Sequence, residues 1–110
     1  MAVTQTPGSL ADGQLPAAKA TLYAVPASTK VYLPRIGMTL FNTSATTTET
    51  IAVYVKRSGS VSRQVAQFIL APKEFATVNV PQPLSAADEI EGSSTNATTV
   101  DYLICGVRES

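Results

Sequence analysis

Thr50-Ile51-Ala52-Val53-Tyr54-Val55-Lys56-Arg57 is the cleanest alternating run in the chain. Ile51, Val53 and Val55 fall on one face, and Ala52, Tyr54 and Lys56 on the other, which is the period of a half-buried β-strand. Ser58-Gly59-Ser60 follows as a hairpin turn. Beyond it, Ser62 to Leu70 sets Ala66, Phe68 and Leu70 against Val65, Gln67 and Ile69. Ala71-Pro72-Lys73-Glu74 turns the chain again, and Phe75 to Val80 places Ala76, Val78 and Val80 opposite Thr77 and Asn79.

Upstream, Thr21-Leu22-Tyr23-Ala24-Val25 reads as a short strand closed by Pro26 and a Ser28-Thr29 turn. Lys30 to Thr43 is extended, with Ile36, Met38 and Leu40 on one face. Pro34 cannot donate to a ladder, so a break, bulge or edge is expected near Leu33-Pro34. Thr43 to Thr48 is a polar loop. Downstream, Glu89-Ile90-Glu91 is a brief strand, and Gly92 to Asn96 is read as a loop. The last strand, Thr98 to Val107, carries Val100, Tyr102 and Ile104 on one face and Leu103, Cys105 and Val107 on the other. Apolar residues on both faces imply a central strand covered on both sides, or an edge covered by a partner. Only Ser85 to Glu89 has helical character, and for one turn at most. Turn signals about every 8–14 residues give an all-β fold, a single β-sandwich or jelly-roll-like domain of about seven or eight strands.

Residues 1–19 differ in texture from residues 20–110, which form the β-sandwich domain. Pro7-Gly8, Asp12-Gly13 and Leu15-Pro16 punctuate the segment, and neither periodicity runs through it. It reads as an extended N-terminal arm, either an ordinary disordered terminus or one that orders on a neighbouring subunit. On the second reading Val3, Leu10 and Leu15 are its partner-binding anchors.

The chain has 110 residues, 8 basic and 8 acidic residues, one cysteine, and neither histidine nor tryptophan. The missing histidine removes the usual general base and metal ligand near neutrality. The bases are scattered, which does not give the concentrated positive field of a nucleic-acid binder. No basic region with an apolar run marks a signal peptide, and no stretch approaches the roughly 18 apolar residues of a membrane span. The expectation is therefore a soluble protein made in the cytoplasm, with no nucleic-acid or membrane partner.

Cys105 lies in an apolar strand and reads as a small packed hydrophobe rather than a nucleophile. Asp88, Glu89, Glu91 and Asp101 lack the spacing of a calcium loop or a hydrolase pair, and Glu89 and Glu91 read as a solvated strand edge. Asn42-Thr43-Ser44 and Asn96-Ala97-Thr98 match the glycosylation pattern by chance in a Thr/Ser-rich chain. Tyr23, Tyr32, Tyr54 and Tyr102 are either half-buried sheet residues or an aromatic platform for sugars. No catalytic residue, metal site or cofactor is expected.

Leu15-Pro16 through Leu22-Tyr23-Ala24-Val25-Pro26, Phe41-Asn42-Thr43 with Ile51 to Val55, Leu84-Ser85-Ala86-Ala87-Asp88-Glu89-Ile90, and the ending Val100 to Glu109 together carry a resemblance. Over residues 15–109 the chain resembles small β-sandwich structural proteins of the virions of tailed bacteriophages and prophages. Ala87 stands where that group often has glycine. The resemblance implies a structural virion component without enzymatic activity. The favoured role is capsid decoration, as a cement protein binding the assembled major capsid protein lattice at the capsid surface. A tail, neck or fibre attachment piece is the related alternative, and a carbohydrate-binding adhesion module is the competing one. It further implies a homo-oligomer, with a trimer favoured.

Overall fold

The structure is a computed structural model, and it describes residues 5–33, 37–80 and 84–109. The described residues form nine strands and no helix: β1 (Gln5–Gln14), β2 (Ala20–Ala24), β3 (Lys30–Tyr32), β4 (Met38–Asn42), β5 (Glu49–Lys56), β6 (Ser62–Leu70), β7 (Phe75–Val78), β8 (Glu89–Ser94) and β9 (Val100–Glu109). One sheet has the order β1-β9-β4-β7, with β3 on β9 beyond the end of β4; the other has the order β2-β8-β5-β6. Every pairing is antiparallel.

This order has a simple origin. β5 pairs with β6, β4 with β7, β2 with β8 and β1 with β9, so the chain is one long hairpin folded over itself. Alternate levels of that hairpin fall in opposite sheets, which is the wrapping of a jelly roll. The all-β sandwich is thus realised, with nine strands rather than seven or eight. The alternating run of Ile51, Val53 and Val55 lies in β5, in the interior of its sheet, with Ile51 and Val53 fully buried.

Between the sheets, Leu15, Val31, Leu33, Met38, Leu40, Val78, Leu84, Val100 and Ile104 meet Val25, Ile51, Val53, Val55, Leu70 and Ile90. Three leucine- or valine-bearing bulges adjust this packing. Leu10 in β1, Leu22 in β2 and Val65 in β6 are each the extra residue at a register shift, and each packs against the core. A bulge lets a strand re-aim one side chain. Leu10 and Leu22 are accommodated by glycines on the neighbouring strands. A Cβ on Gly106 would stand 3.3 Å from Leu10, and one on Gly92 would stand 2.9 Å from Leu22.

Several sequence expectations change. Gln5–Gln14, read as an arm, is β1 and pairs along almost the whole of β9. Edge pairing is made by backbone groups and needs no apolar alternation, so Pro7, Gly8 and Gly13 did not exclude it. β8 runs on to Ser94, through the segment read as a loop, because the inward positions there are the small Gly92 and Ser94. It is also an interior strand, so Glu89 and Glu91 do not guard an edge. Ser85 to Glu89 forms a turn and no helix. Lys30 to Thr43 divides into β3 and β4, and the break expected at Pro34 falls on residues 34–36, outside the described residues.

Candidate functional site

The three residues expected to anchor a partner take separate places. Leu15 is fully buried in the chain's own core, and its backbone bonds Val100 O at 2.8 Å. Leu10 is half-buried at the β1 bulge, against Gly106. Val3 lies outside the described residues. Leu10 and Leu15 are therefore directed inward, because the bulge and the turn into β2 aim both at the core.

Carboxylates are dispersed too. Glu89 and Glu91 face outward from the four-stranded sheet, where they accept hydrogen bonds from Thr21 Oγ1 and Ser62 Oγ. Asp101 is on the outer face of the other sheet and accepts from Gln14 Nε2 at 3.3 Å. With Asp12, Gly13 and Tyr102 these residues line a small open cleft of about 320 Å³. Burial, with the Asp12 charge beside it, pushes the Tyr102 hydroxyl above its ordinary value.

Asp88 is a structural clasp. It is buried, and its carboxylate accepts the Ser58 N–H at 2.8 Å, the Ser85 N–H at 2.9 Å and Arg57 Nη1 at 2.8 Å. It ties the β5–β6 turn to the segment preceding β8. Burial alone would raise this carboxyl, but the Ser85 and Ser58 N–H groups and Arg57 outweigh it and hold it below the ordinary carboxylate value. Two further buried polar residues escaped the sequence reading. Glu49 accepts both the N–H and the Nδ2 of Asn96, at 2.9 and 2.8 Å. Asn42 donates to Thr47 O, Leu70 O and Ala71 O and accepts the Ser44 N–H. Asn42, one of the two glycosylation matches, is thus a buried strut joining β4 to the loops around β5 and β7.

The four tyrosines do not share a surface. Tyr23 and Tyr102 lean on the core from opposite sheets. Tyr54 faces outward from β5 beneath Lys19, whose Nζ is 4.9 Å from the ring centre. Tyr32 is on the outer face of the five-stranded sheet, opposite Val107.

That outer face is where the exposed apolar residues gather. Along β9, alternation sends Val100, Tyr102 and Ile104 inward and Asp101, Leu103, Cys105 and Val107 outward. Phe41 sits opposite Asp101 on one side and Phe75 on the other. Leu103 is one step along, opposite Thr39, and Val107 lies between Pro7 and Tyr32. The result is a diagonal apolar band from Phe75 through Phe41, Leu103 and Cys105 to Val107 and Tyr32. Phe75 is 67% exposed, Leu103 41%, and Phe41 and Tyr32 36% each. At its far end the band opens into a shallow apolar depression of about 590 Å³, lined by Pro7, Tyr32, Leu33, Cys105 and Val107 among others. The sequence predicts for β9 a central strand covered on both faces or an edge covered by a partner. β9 is central in its sheet, and among the described residues no second layer covers its outer face.

With about 200 Å² for each aromatic side chain, the four exposed residues leave on the order of 350 Å² of apolar surface in water. A patch of that size is near the low end for the largest apolar patch of a monomer, which is often the functional one. Comparison with known protein families, with curated proteins and with solved structures gave no match to this chain.

Proposed function

We propose that this chain is a structural virion protein of a tailed bacteriophage, a capsid decoration protein that docks on the assembled major-capsid lattice. The apolar band of Tyr32, Phe41, Phe75 and Leu103 carries the reading, because it offers a broad, shallow contact surface on a rigid sheet. The resemblance over residues 15–109 supports it and supplies the identity of the shell. Jelly rolls serve in both viral shells and lectins, so the fold alone does not decide. The tyrosines that sugar binding would need lie on different faces.

The docking surface moves with the structure. In place of an arm anchored by Leu10 and Leu15, contact is made by the outer face of the five-stranded sheet. Burying the band is worth roughly 9 kcal/mol gross. Association costs about 4–15 kcal/mol, so one copy holds weakly to a single shell subunit. Retention then comes from sites that exist only in the assembled lattice, which also explains how binding would stabilise the shell.

Co-sedimentation with particles stripped of the protein tests this. The wild-type chain should saturate assembled shells and leave free capsid subunits unbound, whereas Phe75→Ser combined with Leu103→Ser should bind at least about tenfold more weakly. Equal binding by the double variant would overturn the assigned surface. Binding to tails alone, or to host glycans and not to particles, would overturn the decoration role.

A further inference from the structure

Among the described residues each sheet ends in two strands with one side unpaired, and such edges are normally blunted by brevity, proline, charge or a bulge. All four edges carry such a device, but in β6 the Val65 bulge and Arg63 protect only the first half. β1 contains Pro7, Gly8, Asp12, Gly13 and the Leu10 bulge. β2 has five residues and the Leu22 bulge, and β7 has four residues. β6 differs. It has nine residues, and after the Val65 bulge the run Ala66-Gln67-Phe68-Ile69-Leu70 holds no proline, glycine or charge. Ile69, on its outer side, is 69% exposed, the highest value among the large apolar residues.

Backbone direction can be read from the neighbouring strand. Thr50 directs its N–H to Thr95 Oγ1 at 2.9 Å and receives the Thr95 N–H on its C=O at 3.1 Å, so its groups face the β8 side. Alternation along β5 turns Ile51 and Val53 toward β6, where they oppose Phe68 and Ala66. Gln67 and Ile69, opposite Ala52 and Thr50, therefore point their N–H and C=O groups away from β5. Among the described residues no strand pairs with that side.

We propose that β6 is a self-pairing edge: Ala66–Leu70 of one copy pairs antiparallel with the same segment of a second copy. A two-fold axis at Phe68 sets Gln67 and Ile69 of one copy opposite Ile69 and Gln67 of the other, so that all four outward N–H groups find a carbonyl. Two four-stranded sheets become one continuous sheet. The occupant is a second copy because an antiparallel two-fold needs only the strand's own backbone. The run also holds no charge to meet its like across the axis. Each Ile69 then covers the partner's Gln67 stem. The inference does not rest on the virion reading, and it gives a two-fold pair where the resemblance implies a trimer.

Sedimentation equilibrium of the full chain over rising concentration is the test. The wild type should move from one to two chain masses. Gln67→Pro removes an outward N–H that β5 does not use and should weaken the dimer at least about tenfold. Ile69→Lys keeps every backbone group, places like charges near the axis, and should do the same; it decides the matter if the proline variant does not fold. Amide exchange gives an independent readout, with Gln67 and Ile69 slowing as concentration rises and the β1 amides unchanged. A monomer up to about 1 mM, a trimer, or a dimer indifferent to both substitutions would each overturn the proposal.

Discussion

Replacing Asp88 with alanine should destabilise the protein far more than removing the arginine that pairs with it. Asp88 is 4% exposed, and its carboxylate holds two backbone N–H groups, from Ser58 and Ser85, besides Arg57. A hydrogen bond to a charged group is worth about 1.5–3 kcal/mol net, and buried donors left unpaired add their own penalty. The two backbone bonds taken at the low end, with a small contribution from the half-exposed arginine, give about 3 kcal/mol for Asp88→Ala. At about 2.1 cal/mol/K per residue of unfolding entropy, this lowers Tm by about 13 °C. The Arg57 side chain is 44% exposed, so Arg57→Ala should cost about 0.5–1 kcal/mol, or about 2–4 °C.

The same site predicts a pH dependence. The folded Asp88 carboxyl titrates below its ordinary value of 3.8. A depressed folded pKa contributes stability that is fully present above the unfolded value and is lost as pH falls through the folded one. The Tm gap between wild type and Asp88→Ala should therefore be constant from about pH 7 to 5 and shrink below about pH 4. Thermal unfolding followed by circular dichroism across this range is the assay. Equal losses for the two variants, or a gap that does not shrink at all as pH falls below the ordinary carboxylate range, would refute the argument.

Other substitutions probe the packing. Leu15→Ala, at a fully buried position, should cost about 2–5 kcal/mol in urea unfolding; a residue on a free arm would cost almost nothing. A Cβ on Gly106 would stand 2.6 Å from the Tyr32 carbonyl oxygen, whereas one on Gly92 meets the mobile end of Leu22 at 2.9 Å. Gly106→Ala should therefore lower stability by about 2–3 kcal/mol and Gly92→Ala by roughly half that, as read from denaturation midpoints. Ala87 holds a left-handed backbone with φ of 68°, so Ala87→Gly should raise stability by about 0.5–1 kcal/mol. Among the described residues Tyr23 Oη is buried without a hydrogen-bond partner, and burial raises its pKa. Tyr23→Phe should leave stability unchanged or raise it by up to about 1 kcal/mol by the same measurement.

The strands legible in the sequence are those whose apolar faces alternate without interruption. β5, β7 and the inward face of β9 are of this kind, as is β6 apart from its bulge. Ile51, Val53, Val78, Val100 and Ile104 carry the pattern because they fill the space between the sheets. β1 was illegible because an edge strand is held by backbone bonds to β9, and Leu10, half-buried against the core, sits at a register shift that no period reveals. β8 was cut short because Gly92 and Ser94 point inward, and small inward residues resemble a loop. The buried polar residues Asn42, Glu49 and Asp88 were illegible for a different reason. Their partners are backbone and side-chain groups brought in by loops distant in sequence, and composition cannot distinguish them from surface residues. The candidate surface was half-visible: Leu103, Cys105 and Val107 stood out as a second apolar face of β9. Only the register of β4, β7 and β3 shows that Phe41, Phe75 and Tyr32 extend it.

Cryo-electron microscopy of virus particles from the source of the chain, with the chain traced in the reconstruction, tests the proposed decoration role most directly. The account predicts regular density on the capsid surface, with Phe41, Phe75 and Leu103 of the five-stranded sheet turned toward the shell. Absence from the particle, density confined to the tail or neck, or a decoration protein whose apolar band faces solvent would contradict it.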